Sequence, residues 1–405
     1  MIGRYFRFVH TNRHGLAFGA LLMALASFGQ TFFIALFGAH LRHDFGLSDG
    51  GLGTAYAIAT FASAFTLQRV GRWIDPVGLP RYTVGVAVLL ACACVLMAFN
   101  TSIAGLVLTL YMLRLGGQGL MVHTAATATA RGFPRQRGTA LSLANLGGAV
   151  GEGVLPLAVA GGMATIGWRG IWGVAAVIVF VGAIGALHWA PGKPVTEGQR
   201  GGSAGPQIHG IQRSRSLWRD KCFLLTLPVA LAPSFISTGF LFNQARLLQE
   251  KGWAFEIWAS WFVSFALTRG IAMVLIGPVI DKVGAVRLLP LFALPLAVAM
   301  ASIAFVHSSW GMPLFLLPTG LSAGLSSTLL TALLVELYGV ARLAEVRSTL
   351  ASASVIASGL APIMMGYLID GGVSLSSQAD VCLVYTLLSI LLAFRVRYHA
   401  QAMVA

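Results

Sequence analysis

Charge is the first thing this sequence lacks. Only 10% of its 405 residues are Asp, Glu, Lys or Arg, and the acids number 13. A soluble domain carries about 25% charged residues. A chain that is 57% hydrophobic cannot build a hydrated shell from so little charge. A soluble enzyme, a DNA-binding domain and a disordered chain are therefore excluded. Cysteine is also scarce, and four residues give no disulfide framework. Cys92 and Cys94 share one apolar run, Cys382 lies in another and Cys222 follows Lys221, as small apolar packing residues would. No HExxH or paired CxxC occurs, so we expect neither metal nor cofactor. The phosphate-binding pattern GxxxxGK[ST] is missing too, because Gly192-Lys193 runs into Pro194. Short alternating strands are absent, which argues against a β-barrel.

What the chain has is long apolar runs. A helix needs roughly 20 apolar residues to cross a bilayer. Twelve candidates stand at about 15–39, 52–68, 82–99, 104–126, 139–162, 170–190, 222–242, 257–278, 288–306, 312–335, 349–369 and 381–395. Their Gly and Ala content suits close helix packing in lipid. Residues 16–26, preceded by Arg4, Arg7 and Arg13, have the shape of a signal-peptide core. The run continues to about residue 39, so an uncleaved first span is the reading. The expected fold is an all-α integral membrane protein of twelve transmembrane helices in two six-helix bundles.

The net charge of +14 sits in the gaps between these runs, so it reads as topology and not as a nucleic-acid surface. Connections on the side of the two termini carry 21 Lys and Arg, the opposite side carries 4, and Arg114 and Arg269 fall inside spans. Basic residues accumulate on the cytoplasmic side, which places both termini in the cytoplasm of a bacterial-type inner membrane. Residues 191–220 are the one long polar stretch, rich in Gly, Pro, Gln and Ser. They divide the chain into residues 1–192, a linker at 193–220 with a surface helix expected near 211–219, and residues 221–405.

The halves repeat. GRWIDPVGLPR at 71–81 follows the second span, and GPVIDKVGAVR at 277–287 follows the eighth. Gly71, Asp75, Gly78 and Arg81 match Gly277, Asp281, Gly284 and Arg287 at an offset of 206 residues, and Pro156 matches Pro362 at the same offset. A shared offset at separate places indicates duplication of a six-helix unit.

These loops resemble the signature of the major facilitator superfamily, Gly-x-x-x-Asp-basic-x-Gly-x-basic-basic, and the resemblance extends over the whole chain. It implies two bundles around a central cavity and secondary transport by alternating access. The glycines permit tight turns, and each aspartate can pair with an arginine to hold the cytoplasmic ends closed or simply satisfy loop amides. The first copy departs from the pattern with Pro76 where a basic residue stands in the signature. Arg114-Leu-Gly-Gly-Gln118-Gly119, RGTA at 137–140 and Arg269 resemble, more loosely, the monocarboxylate and oxalate–formate branch. That likeness implies proton-coupled transport or exchange of small carboxylates. The Asp–Arg pair of its animal members is absent, since Phe265 stands four residues before Arg269. Drug antiporters of the superfamily have Gly-Pro where this chain has Gly151-Glu152.

Ionisable residues inside spans are costly and therefore candidates for function. Glu152 lies roughly 22 Å along its helix from Arg137, and Arg114 roughly 25 Å from Arg131, which puts both near mid-membrane. The superfamily fold places Arg114 in the cavity and lets Glu152 face either Arg114 or Arg269. The functional reading is an anion site of Arg114 and Arg269, with Gln30 as a hydrogen-bonding partner and Glu152 carrying the coupling proton. The plainer reading is an ion pair that only orients helices. His123 is a second proton candidate or a packing histidine. Glu336, near Arg342 and Arg347, is a gate residue or a snorkelling interfacial charge. The partners implied are a small anionic substrate, protons and lipid, and a monomer is expected. Efflux of amphipathic compounds is the alternative within carriers. A serine hydrolase is the rival class, since Gly-x-Ser-x-Gly occurs at 201–205 and 320–324. Neither copy has the strand–turn–helix context that such a nucleophile needs.

Overall fold

The computed structural model describes residues 2–190 and 217–404. Most of the linker, and with it the 201–205 motif and residues 211–216 of the expected surface helix, lies outside the described residues. Among the described residues every regular element is a helix. The helices bury large apolar side chains such as Trp172, Trp258 and Phe33 inside and leave others outward, as on Phe99, Val381 and Leu391. Lipid takes the place of water on that outer surface.

The membrane helices are α1 Arg13–Ala35, α2 Asp49–Val70, α3 Leu79–Phe99, α4 Ile103–Gly132, α5 Arg137–Trp189, α6 Lys221–Phe242, α7 Phe255–Val283, α8 Ala285–Phe305, α9 Gly311–Gly339, α10 Glu345–Asp370 and α11 Leu375–Val396. Ten of these are long and apolar enough to cross a membrane. The shortfall from twelve lies at two places. α5 joins the fifth and sixth expected spans into 53 residues. It turns at Gly167, whose φ of 65° is open to glycine at little cost. α2 has 22 residues but is more polar, with Thr54, Thr60, Ser63 and Thr66 along it.

Helix ends follow local chemistry. Ser48, Ser102 and Asp220 cap α2, the start of α4 and α6 through side-chain oxygens. Gly78 and Gly284 precede α3 and α8 with nearly identical backbone angles, φ 84° and ψ 148° against φ 87° and ψ 146°. The sequence repeat is thus also a repeat of backbone geometry. We call the face bearing these two turns inner and the opposite face outer.

Two contacts hold the halves together along their lengths, α2 on α10 and α5 on α7. Backbone-to-backbone approach at glycine sets the first. A Cβ on Gly366 would stand 2.6 Å from the Asp49 carbonyl, and one on Gly53 would strike the Pro362 carbonyl. Gly153 sits against Val263 and Ala266. Gly320 and Gly324 seat α9 on the carbonyls of Phe265 and Arg269 in α7. The second Gly-x-Ser-x-Gly is therefore a packing motif inside a helix.

Candidate functional site

α1 is not a continuous helix. It tightens at Ser27–Gly29, becomes extended at Gln30 with ψ 153°, and resumes at Thr31. α4 widens at the same level into a π-helix over Arg114–Met121. Gly116, Gly117 and Gly119 make that widening possible, and wide turns of this kind favour functional sites. The two irregular segments touch: a Cβ on Gly117 would lie 2.6 Å from the Gly29 Cα.

Arg114 occupies this junction and is 5% exposed. Its Nε donates to Thr60 Oγ1 at 3.2 Å, and Nη1 donates to the Gly29 carbonyl at 3.4 Å and Thr31 Oγ1 at 3.3 Å. Its guanidinium lies 5.1 Å from the Tyr56 ring centroid, and the Tyr56 hydroxyl is 2.5 Å from Thr31 Oγ1. Tyr56 in turn packs on Phe242 of the second half at 4.6 Å. No carboxylate pairs with Arg114 among the described residues. Three neutral oxygens and one ring face hold a buried cation, a costly arrangement without an anion. Gln30, half-buried at the break, completes the neighbourhood.

Glu152 pairs with Arg269, across the two halves, by a hydrogen bond from Nη1 to Oε1. Of the two partners the sequence allowed, the structure therefore selects Arg269. The Glu152 side chain is 14% exposed and Arg269 32%. Oε2 of Glu152 is buried without a hydrogen-bond partner, which leaves acceptor capacity for a proton or a donor. At the positions related by the 206 offset stand Ser358 and Ser63, whose hydroxyls donate to Val355 and Thr60 carbonyls. The ion pair thus belongs to the α5–α7 contact alone.

The remaining sequence candidates lie on the inner face. Asp75 pairs with Arg131 at 2.6 Å within its own half, and both are largely exposed. Asp281 makes no ion pair among the described residues, so the copy that keeps the basic residue is the unpaired one. Arg81 and Arg287 are exposed. The ring of His123 meets the Gly71 carbonyl at 3.0 Å, which ties α4 to the first loop. Glu336 accepts from the backbone N–H groups of Ala285 and Val286, at 2.6 and 3.0 Å, and so caps α8 within the second half. Gly277 is half-buried in α7.

The sequence reading overlooked the outer end of the α2–α10 contact. Asp370 accepts from the N–H groups of Asp49 and Gly50 at 3.0 and 2.9 Å. Asp49 also pairs with Arg42 at 2.5 Å. Burial lowers the pKa of the Arg42 guanidinium and outweighs the attraction of Asp49. Gln244 bridges the halves nearby, donating to the Phe32 carbonyl at 3.0 Å and accepting from Trp258 Nε1 at 2.8 Å. A Ser or Asp before a helix is a legible cap. A carboxylate 321 residues away in sequence is not.

Taken together, the hydrogen bonds between the halves described above lie at mid-depth or toward the outer face. The halves are thus tied to each other on the outer side. Two related bundles, a broken helix at mid-membrane and a buried cation beside it define a membrane transporter of the two-bundle class. The signature of the Major Facilitator Superfamily matches residues 19–262, more than half of the chain, and the protein belongs to that family. No curated protein matches its sequence significantly. Among solved structures, it is similar to a bacterial homologue of the human lysosomal transporter Spinster in an inward-facing, occupied conformation, at 15% identity over 96% of each chain with a TM-score of 0.69. It is also similar to the nucleoside transporter NupG, at 13% identity over 95% of this chain and 98% of that one, with a TM-score of 0.71.

Proposed function

We propose that this protein is a proton-coupled carrier of a small organic anion, working by alternating access across a bacterial inner membrane with both termini in the cytoplasm. The observation that carries the reading is Arg114: a buried guanidinium without a carboxylate, at the break of α1, where a substrate anion would supply the missing charge. Arg269 and Gln30 are assigned to the same substrate. Glu152 carries the coupling proton, because an anion that competes for Arg269 would release it to protonate. His123 is a secondary proton candidate through its contact with the first loop. The loop residues Gly71, Asp75, Gly78, Arg81, Gly277, Asp281, Gly284 and Arg287, with Glu336, serve the change of state on the inner face.

Purified protein in liposomes tests this reading. An inward-directed pH gradient should drive uptake from a panel of small carboxylates, and Arg114→Gln should abolish it while the protein still folds. Uptake of neutral compounds alone, unaffected by Arg114→Gln, would overturn it. One observation favours a second reading, the efflux of amphipathic compounds. An open apolar groove of about 640 Å³ runs along the α5–α7 contact, lined by exposed residues such as Val150, Leu267 and Ile271. In the same liposomes, proton-driven extrusion of an amphipathic dye would select that reading.

A further inference from the structure

We infer that the carboxylate of Asp370 is the latch that keeps the outer side closed, and that the α2–α10 contact alone carries such a latch. The inference concerns the change of state, so it does not depend on which substrate is carried.

The argument starts from the first turn of α2. The leading N–H groups of a helix have no acceptor within the helix, and they form the positive end of its dipole. Ser48 satisfies one of them, accepting from Gly51 at 3.0 Å. The two others are satisfied from the opposite half of the molecule: Asp370 Oδ1 accepts from Asp49 and Oδ2 from Gly50. Asp370 is the last residue of α10. These two bonds of the α2 cap therefore exist only while α10 lies against it. When the outer side opens, these helices must part, and both amides lose a charged acceptor at once.

Three features show that the contact is shaped for this approach. Gly50 presents no side chain where a Cβ would stand 2.6 Å from the Tyr367 ring and 2.8 Å from Asp370 Oδ2. Gly366 lets α10 meet the Asp49 backbone. Thr54 Oγ1 meets the Tyr367 hydroxyl at 3.4 Å one turn further in. The α5–α7 contact has no counterpart. The 206 offset places Ala164, which has no side-chain acceptor, where Asp370 stands, and Phe255 where Asp49 stands. That contact is held instead at mid-depth, by Glu152 and Arg269. One contact is thus clasped at its outer end and the other near its middle. Separation at the outer face then requires release at Asp370, while the mid-depth pair can persist as the pivot.

Spin labels at His43 and Val373, on opposite sides of the contact, report its opening as a distance distribution in nanodiscs. Asp370→Asn keeps the shape but removes the charge and one acceptor. The outer-open population should rise roughly fivefold, the scale of losing one helix cap. Gly50→Ala reaches the same end by crowding Tyr367 and Asp370, and it should also raise that population. Ala164→Asn puts the same amide at the equivalent, exposed place in the other contact, and should leave the distribution unchanged. If Asp370→Asn and Gly50→Ala both give the wild-type distribution, the latch does not exist. If Ala164→Asn opens the outer face as far as they do, the one-sided account is wrong.

Discussion

Two ionic residues in the α5–α7 contact concentrate the chemistry at the scale of single side chains. Glu152 has one oxygen on Arg269 and one buried without a partner. Removing either member of such a pair leaves the other uncompensated, which costs several kcal/mol. Conservative changes are therefore the informative ones. Glu152→Gln removes the titration at nearly constant shape. We expect it to abolish pH-driven accumulation while leaving substrate exchange measurable in liposomes; normal accumulation against a gradient would make Glu152 a purely structural partner. Arg269→Lys keeps the charge but loses the planar fork. Transport should fall at least about tenfold, the scale of one charge-assisted hydrogen bond, with expression preserved. Wild-type rates in that variant would remove the guanidinium from recognition.

Helices in this protein are placed by what they leave out. The break in α1 and the wide turn of α4 meet through Gly29 and Gly117, and a side chain there has nowhere to go. Gly117→Ala puts a Cβ 2.6 Å from one Cα and 3.0 Å from the Ala26 carbonyl, both rigid backbone. The cost should be about 1–3 kcal/mol, the usual range for overpacking. It should show as a lower midpoint in a thermal unfolding scan of the detergent-solubilised protein. Because Arg114 is positioned by the same junction, substrate affinity should fall with it. The control is Gly161→Ala, where a Cβ meets open space and the midpoint should not fall.

At the scale of the whole molecule, the polar bonds described between the halves sit at mid-depth and outward, and the loop signatures on the inner face make none among the described residues. Asp75 is spent on Arg131 in its own half, and Asp281 has no ion pair among the described residues. Any contact that Asp281 makes between halves must therefore belong to the state with the inner face closed. Asp281→Asn should shift the population toward the inner-open state without destabilising the arrangement seen here. Labelling of a cysteine placed on the inner half of α10, for instance at the exposed Ile356, reads this shift. Unchanged labelling, with an unchanged unfolding midpoint, would show that the second loop takes no part in gating.

The sequence alone determined the membrane class and the two-fold repeat. Both are one-dimensional properties: run length against bilayer thickness, and residue offset. The angles of Gly78 and Gly284 agree because glycine at a turn responds to local backbone demands, which the repeat copies. Partner choice was not legible, since it depends on how the bundles lie against each other. Arg114 and Arg269 were equivalent partners for Glu152 on the sequence, and only packing of α5 on α7 decided between them. The asymmetry of the loops ran against the motif as well: the departing copy makes the ion pair, because Arg131 at the end of α4 is within reach of it. Asp370 shows the limit most plainly. In the sequence it is one acid at the end of an apolar run, and its role exists only where the start of α2 and the end of α10, 321 residues apart in the chain, lie side by side.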